Sequence, residues 1–399
     1  MASVTTGNPA GPRLRDRFAP VDPLAPRRQD YLDNLRVCLT MLVIMHHCAI
    51  AFGATGDWVF KIDPRGASLS VLAMTLFTGI NQAFFMSLFF GISGYFTPAA
   101  FDRNGSTRFL RSRLVRLGVP LLAYFFLINP TVNWMALRFE GVTDTSYAFF
   151  MGTYGFRFFG LGVTWFLFAL LLFAFGYAVM RRLREAPIPP QRPRPFPSHL
   201  AIFSFIFGLG VFTYFVRTWF PAGQVIPYVN LNVGEFPLYL AGWIVGIQSW
   251  RYGWIEMIDY SRMRVWVGVA VLAIVLMPPM IILGVDVTMN FDEFFGGWGP
   301  LAFLYSLWQT TVFVGVSLGL LYLFRVHLAG TGPLPRGLTR TAYAAYIVHP
   351  LFVVPLTELV VQFPTIPLIH FMLLFPLAIC ASFFAGALLC RLPVLKRIL

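Results

Sequence analysis

The chain has 399 residues, of which 57% are hydrophobic and 12% are charged, about half the charged fraction of an ordinary soluble domain. Its apolar runs are long enough to span a bilayer, so the composition predicts a polytopic membrane protein. The net charge of +13 would suggest nucleic-acid binding in a soluble chain. Here the basic residues lie between apolar runs, where they orient a protein in the membrane, and nucleic acid is excluded as a partner.

Residues 1–30 contain five arginines and several prolines without an apolar core. This pattern excludes a cleavable signal peptide and predicts a disordered cytoplasmic tail. Residues 31–399 predict one all-α transmembrane domain, a single bundle of about ten helices. The predicted spans are 34–53, 70–96, 116–136, 159–180, 199–217, 234–250, 265–285, 299–324, 341–361 and 367–390.

The basic residues predict the orientation of these spans. With a cytoplasmic N-terminus, all but five of the 30 Lys and Arg residues fall on the cytoplasmic side. This distribution follows the positive-inside rule, so both termini are predicted to be cytoplasmic. The five residues predicted to lie outside are Lys61, Arg65, Arg138, Arg157 and Arg217.

The first span carries ionisable residues, which are costly inside a membrane and are candidates for a functional site. Arg36 and His47 are eleven residues apart, so a helix places them on one face, about 16 Å apart along its axis. His46 points about 100° away from His47. A buried histidine favours its neutral form, which suits a general base. The alternative is a histidine that is hydrogen-bonded to a neighbouring helix.

An arginine, ten intervening residues and a histidine in the first span resemble the signature of the acyltransferase 3 membrane family. Three further matches follow in order. The first consists of 84–98, with its SGYFTP sequence, and the basic stretch 109–122, with its RLVR sequence; the others are 164–173 and 342–352. The resemblance covers nearly everything from residue 30 onward. It is strongest to the branch with glucan succinyltransferases and polysaccharide O-acetyltransferases.

This resemblance implies a multi-pass enzyme of the cell inner membrane. It would transfer an acyl group, acetyl or succinyl, from cytosolic acyl-coenzyme A to a hydroxyl of an extracytoplasmic carbohydrate or lipid-linked glycan. Direct attack by the acceptor hydroxyl and a route through acyl-histidine both fit, and no oxyanion stabiliser is identified.

The resemblance assigns catalytic roles to His47 and Arg36, with His47 as general base or acyl carrier. It also implies that Arg113, Arg116 and Arg36 bind the phosphates of coenzyme A, since a guanidinium can donate two parallel hydrogen bonds to phosphate oxygens. The alternative for Arg113 and Arg116 is a purely topological role in an arginine-rich cytoplasmic loop. The alternative for Arg36 is an ion pair with Asp33.

Candidate pocket residues complete the predicted site. Ser93 also fits close helix packing through small residues, and Trp165 also fits an aromatic belt. His349 precedes Pro350, so a helix kink is its alternative. No metal site is predicted, because no carboxylate adjoins the histidine pair and the cysteines lack paired spacing. The pocket candidates are Asp33, His46, Ser93, Trp165 and His349.

A transporter of an anionic or glycan-type substrate is the rival interpretation from another functional class. Arg36 and His47 would then form a binding or proton-coupling site. Transporters are commonly built from repeated halves with interrupted helices in matching positions. No internal repeat is found in the sequence, which favours the acyltransferase.

Overall fold

The structure is a computed structural model, and it describes residues 29–63, 68–184, 192–288, 291–329, 333–393, 395 and 398. The predicted disordered tail lies, apart from its last two residues, outside this range. A short antiparallel hairpin of β1 Val225–Ile226 and β2 Leu231–Asn232 connects α7 to α8. The helices are α1 Asp30–Ala51, α2 Leu69–Arg113, α3 Val119–Ala123, α4 Asn129–Phe139, α5 Tyr147–Thr153, α6 Trp165–Leu183, α7 His199–Trp219, α8 Phe236–Tyr252, α9 Tyr260–Thr288, α10 Pro300–His327, α11 Pro333–Val348, α12 Pro350–Val361 and α13 Pro367–Leu389.

The prediction of an all-α polytopic membrane protein is confirmed. Within the described residues, seven helical segments are long and apolar enough to cross a membrane, and eight if the bent pair α11 and α12 is one span. Two segments account for the difference between these eight and the ten predicted spans. The run Leu69–Phe139 has 71 residues and contains two predicted spans, while α8 has 17 residues, at the lower limit for a crossing.

The prediction of an arginine-rich loop between the second and third spans is wrong, because this segment is helical. Helix α2 bends at Gly105, whose φ of 68° is a conformation that glycine adopts at little cost. Beyond the bend, arginine and leucine are good helix formers. The helix then continues through the wide π-helical turns Leu114–Gly118 and Tyr124–Ile128 into α4. The arginines therefore lie on a helix surface.

Glycines let α2 and α8 pack in close contact, as the small residues at the end of the second span suggest. A Cβ at Gly94 would collide with the carbonyl oxygen of Trp243, and one at Gly246 would collide with that of Gly91. Helix α1 packs against α2, α10, α11 and α13. In the apolar stretch of α1, 61% of the residues are buried, compared with 11% in the apolar stretch of α9. The helix with the histidine pair is therefore central.

The ninth predicted span is broken where its sequence predicts a kink. Residues 337–348 and α12 meet at an angle of 70°, with His349 between them. Pro350 has no N–H and its ring clashes with the preceding turn, which breaks a helix. The break leaves His349 fully buried beside α1 in the middle of the bundle.

Candidate active site

Two cavities enter the bundle and share no lining residue within the described part of the chain. The larger, about 2170 Å³, meets the first half of α1 and is called the arginine cavity. The smaller, about 950 Å³, meets the second half of α1 and contains His46 and His47; it is called the histidine cavity. The arginines of the arginine cavity are Arg36, Arg103, Arg113, Arg116, Arg325, Arg340 and Arg391.

The arginine cavity contains the residues that the sequence assigns to the acyl donor. Arg36, Arg113 and Arg116 all line it, together with Asp33 and Ser93. Arg36 Nη1 lies 3.2 Å from Asp33 Oδ1. The predicted ion pair with Asp33 is therefore present. A guanidinium has five N–H donors, so this pair leaves other donors of Arg36 for a ligand.

Charge in this cavity is strongly unbalanced. Its seven arginines face three acids, Asp33, Asp102 and Glu256, and Asp102 is paired with Arg181 at 2.7 Å. A concave surface of one sign concentrates its field and attracts a polyanion. All seven arginines belong to segments predicted to be cytoplasmic, but Arg103, Arg325, Arg340 and Arg391 were predicted only as orientation signals. These four residues are distant in sequence, so no local sequence pattern indicates that they meet in one cavity.

In the histidine cavity, His47 is bonded to a histidine 302 residues away. His47 Nδ1 lies 2.9 Å from His349 Nε2, and His349 Nδ1 lies 2.6 Å from the carbonyl oxygen of Tyr346. The two imidazole rings are parallel within 5°, with centroids 5.0 Å apart. Trp58 stacks on His47 with a centroid distance of 4.3 Å. Both histidines were predicted as site residues, but their pairing and Trp58 were missed.

His46 also lines this cavity but faces a different neighbour. Its ring is 5.0 Å from that of Phe85 and is turned by 77° from the ring of His47. Its Nδ1 atom is buried and has no hydrogen-bond partner among the described residues. Only His47 of the pair stacks against Trp58 and His349. In the described part of the chain, no group of three or more His, Cys, Asp or Glu residues could hold a metal ion.

Trp165 begins α6 and lines the histidine cavity. It stacks on Tyr239 with a centroid distance of 5.3 Å. The indole N–H of Trp58, in the same cavity, is buried and lacks a hydrogen-bond partner among the described residues. An indole N–H only donates, so Trp58 can offer its proton to a bound oxygen atom. Trp58 lies in a connecting loop with no motif around it, which is why it was missed.

A buried ion pair supports one wall of the histidine cavity. Arg217 Nη2 lies 2.7 Å from Glu235 Oε1, and both side chains are almost fully buried. Gln309 donates to Glu235 Oε2 at 2.7 Å, and Arg217 also donates to Gly234 and Ser306. The sequence predicted Arg217 only as one of five basic residues on the outer side, and the enclosure of its guanidinium by Glu235 and its neighbours was missed. Its place at the end of an apolar span was the available signal.

An aromatic layer separates the two cavities. Tyr346 and Phe166 line the arginine cavity, whereas Val163 and Trp165 line the histidine cavity. The Tyr346 hydroxyl donates to the carbonyl oxygen of Val163, so this hydrogen bond crosses the layer. The Phe166 ring packs edge-on against Phe90 at 4.7 Å. The hydrogen bond and the ring contacts of this layer therefore lie between the two cavities.

Comparison with known proteins agrees with the motifs in the chain. Residues 29–389 match the acyltransferase 3 model, described as an acyltransferase domain. The chain belongs to the acyltransferase 3 family. Curated relatives include Glucans biosynthesis protein C of Escherichia coli O1:K1 / APEC and of Escherichia coli O139:H28 (strain E24377A / ETEC). Each is 30% identical over 109 residues, 27% of this chain and 27% of the relative.

The matched stretch thus spans about a quarter of the length of these curated relatives. No solved structure matches the chain significantly. The acyltransferase 3 match, in contrast, contains the histidine cavity completely, and it contains all of the arginine cavity except Cys390 and Arg391. Both cavities are therefore features of the acyltransferase 3 domain.

Proposed function

We propose that this protein is a membrane O-acyltransferase of the cell inner membrane. It moves an acyl group, acetyl or succinyl, from cytosolic acyl-coenzyme A to a hydroxyl of an extracytoplasmic carbohydrate or lipid-linked glycan. The observation that carries this proposal is that α1 presents Arg36 to a cationic cavity and His47 to a separate one. Membership of the acyltransferase 3 family supports acyl transfer. The glucan biosynthesis relatives support a carbohydrate acceptor.

The arginine cavity suits the nucleotide end of the donor. Arginine binds phosphate oxygens through paired N–H donors, and Arg36, Arg113 and Arg116 line this cavity. Its volume of about 2170 Å³ exceeds the roughly 300–1,000 Å³ of a typical small-molecule pocket. The space is adequate for a ligand as large as acyl-coenzyme A.

The acceptor enters the histidine cavity, and the thioester has to reach it through the aromatic layer. Arg36 and His47 are about 16 Å apart along α1, so one extended donor spans the distance between them. The nucleotide stays among the arginines while the acyl end passes Tyr346 and Phe166. The layer then closes behind the transferred group, which keeps donor and acceptor on their own sides.

His47 carries the chemistry in either route. In direct transfer, the acceptor oxygen forms a bond to the acyl carbon while its proton moves to His47. The carbon–sulfur bond breaks, and the coenzyme A thiolate takes that proton. In the two-step route, His47 first forms a bond to the acyl carbon as the carbon–sulfur bond breaks and the thiolate leaves. The acceptor hydroxyl then attacks acyl-histidine, the carbon–nitrogen bond breaks, and the hydroxyl proton passes to the thiolate. Both routes yield one ester and one free thiol.

Trp58 is the proposed oxyanion donor. The acyl oxygen becomes negatively charged when a nucleophile adds to the thioester, and a fixed N–H donor stabilises it. The buried indole N–H of Trp58 has no hydrogen-bond partner among the described residues, and its ring lies directly against His47. It is therefore available at the position where the acyl group meets the histidine.

The decisive experiment uses the purified protein in lipid nanodiscs with radiolabelled acetyl- and succinyl-coenzyme A. We expect binding of one donor and an acceptor-dependent release of free coenzyme A when oligosaccharides are supplied. Failure to bind either donor would overturn the proposal. Uptake of a labelled glycan into proteoliposomes without ester formation would establish the transporter instead.

Sidedness is tested separately by cysteine labelling in a background without the four native cysteines. An impermeant maleimide should label Val142→Cys from outside the cell. It should label Arg192→Cys only after the membrane is opened, because this residue follows the predicted cytoplasmic end of the fourth span. Reversed labelling would contradict the orientation and the proposed entry of the donor from the cytosol.

A further inference from the structure

Three groups form a hydrogen-bonded chain from a backbone carbonyl to the first span. The carbonyl oxygen of Tyr346 is 2.6 Å from His349 Nδ1, and His349 Nε2 is 2.9 Å from His47 Nδ1. His349 is fully buried. The second nitrogen of His47, Nε2, takes no part in this chain.

The break between α11 and α12 makes the carbonyl of Tyr346 available. In an α-helix this oxygen would accept from the N–H four residues later, which is the position of Pro350. Proline has no N–H, so the oxygen lacks its helical donor. His349 Nδ1 takes that place. The proline that breaks the helix therefore also supplies the acceptor that orients His349.

The hydrogen bonds from His47 through His349 to Tyr346 can donate in only one direction. A carbonyl oxygen only accepts, so Nδ1 of His349 is protonated and donates. A neutral imidazole has one N–H, which leaves Nε2 of His349 as an acceptor. Its neighbour, Nδ1 of His47, must then carry the other proton. Burial disfavours a charged imidazole, so His47 is neutral with its proton on Nδ1 and a lone pair on Nε2.

We infer that His349 is a positioning residue that holds His47 in the tautomer whose Nε2 is the reactive atom. The inference rests on the proposed function for its kinetic consequence, whereas the tautomer of His47 can be measured without it. The stack of Trp58, His47 and His349 keeps the rings parallel. Tyr346 anchors the chain at its far end.

The arrangement also stabilises the charge that forms during transfer. When Nε2 of His47 removes the acceptor proton, the resulting imidazolium keeps its Nδ1 proton directed at the lone pair of His349. The carbonyl oxygen of Tyr346, which accepts from Nδ1 of His349, makes Nε2 of His349 a stronger acceptor. Nε2 then gives its proton to the thiolate of coenzyme A, so no net proton is gained or lost. In the two-step route, Nε2 forms the bond to the acyl carbon as the carbon–sulfur bond breaks and the coenzyme A thiolate leaves, and His349 accepts a hydrogen bond from the same Nδ1 proton. A buried carboxylate has this role in serine hydrolases; a neutral imidazole replaces it here.

The tautomer is tested by nitrogen-15 spectroscopy of the purified protein in nanodiscs, labelled on its six histidines. His47→Gln identifies the His47 signals by their loss. We expect a protonated Nδ1 and an unprotonated Nε2 for His47 in the native protein. A protonated Nε2 would overturn the inference whether or not the protein transfers acyl groups.

The kinetic role is tested by paired variants. His349→Ala should lower kcat roughly a hundredfold or more, the range of a positioned base, with unchanged affinity for acyl-coenzyme A. His349→Gln should recover much of this loss, because its amide oxygen can accept from His47 Nδ1. His370→Ala is the matched control: His370 is a buried histidine that lines neither cavity and bonds to the carbonyl of Phe363. A wild-type kcat in His349→Ala, or an equal loss in His349→Gln, would overturn the positioning role.

Discussion

Arg36 and His47 lie on one face of α1, yet the two cavities they line organise charge in different ways. In the arginine cavity the charges converge from many segments and stay partly accessible; the Arg36 side chain is 37% exposed. At the histidine cavity, two lining residues are instead each bonded to a buried partner behind the wall. Arg217 and Glu235 are enclosed as a pair, and His47 is held by His349.

This contrast indicates what each cavity can do. Accessible guanidinium groups bind an anion through several separate contacts, so each contact adds affinity and can be lost by itself. Buried groups that share hydrogen bonds act as a unit, and removal of one leaves its partner unsatisfied. The arginine cavity is therefore suited to binding and the histidine cavity to chemistry. The following substitutions test this division.

His47→Ala should have the largest effect. It removes the proposed base or acyl carrier, so transfer should fall by about 10²- to 10⁴-fold. Acyl-coenzyme A affinity should be unchanged, because His47 lies three helical turns from Arg36. Transfer rate and donor binding are measured on the same purified protein. His46→Ala, whose ring packs on Phe85, should retain far more activity. An active His47→Ala with an inactive His46→Ala would identify His46 as the reactive residue.

Trp58→Phe should have the next largest effect. Phenylalanine keeps an aromatic ring against His47 but has no N–H, so the loss of an oxyanion donor should reduce kcat by about 10²- to 10³-fold. Trp266→Phe is the matched control, since the Trp266 N–H is also buried without a partner among the described residues and lines neither cavity. Equal rates for the two variants would exclude Trp58 as the donor.

The double variant Arg113→Gln/Arg116→Gln should weaken binding of acyl-coenzyme A while leaving kcat at saturating donor nearly unchanged. Each charge-assisted contact contributes about 1.5–3 kcal/mol, or roughly ten- to a hundredfold in affinity. The affinity of the native protein should fall with salt, because exposed charges are screened. Arg262→Gln, which removes a partly exposed charge that is paired with Asp259 outside both cavities, is the control. Unchanged donor binding at low salt would reduce Arg113 and Arg116 to orientation signals.

Tyr346→Phe should have the smallest effect. It removes the hydrogen bond across the aromatic layer, worth about 1 kcal/mol, and keeps both the ring and the carbonyl that holds His349. Easier opening should raise hydrolysis of acyl-coenzyme A in the absence of acceptor by roughly fivefold. Tyr214→Phe, which loses a hydroxyl bonded to the carbonyl of Trp298 outside both cavities, should not change it. Slower hydrolysis in Tyr346→Phe would show that this bond does not restrain the layer.

The linear sequence was sufficient for the features that bilayer and backbone impose locally. A span has to be apolar over the thickness of the membrane, so the all-α class follows from composition. Helical periodicity places Arg36 and His47 on one face, and Pro350 has to break the ninth span. All these features depend on residues within a few turns of one another.

Contacts between distant segments were decided only by packing. The bond from His47 to His349, the enclosure of Arg217 by Glu235 and the position of Trp58 each join residues from different elements. An arginine in a solvated segment acts as an orientation signal. An arginine that neighbouring helices enclose beside a carboxylate forms a structural ion pair. Which of these occurs depends on the burial and hydrogen-bond partners that neighbouring helices provide, and these exist only when the bundle has assembled.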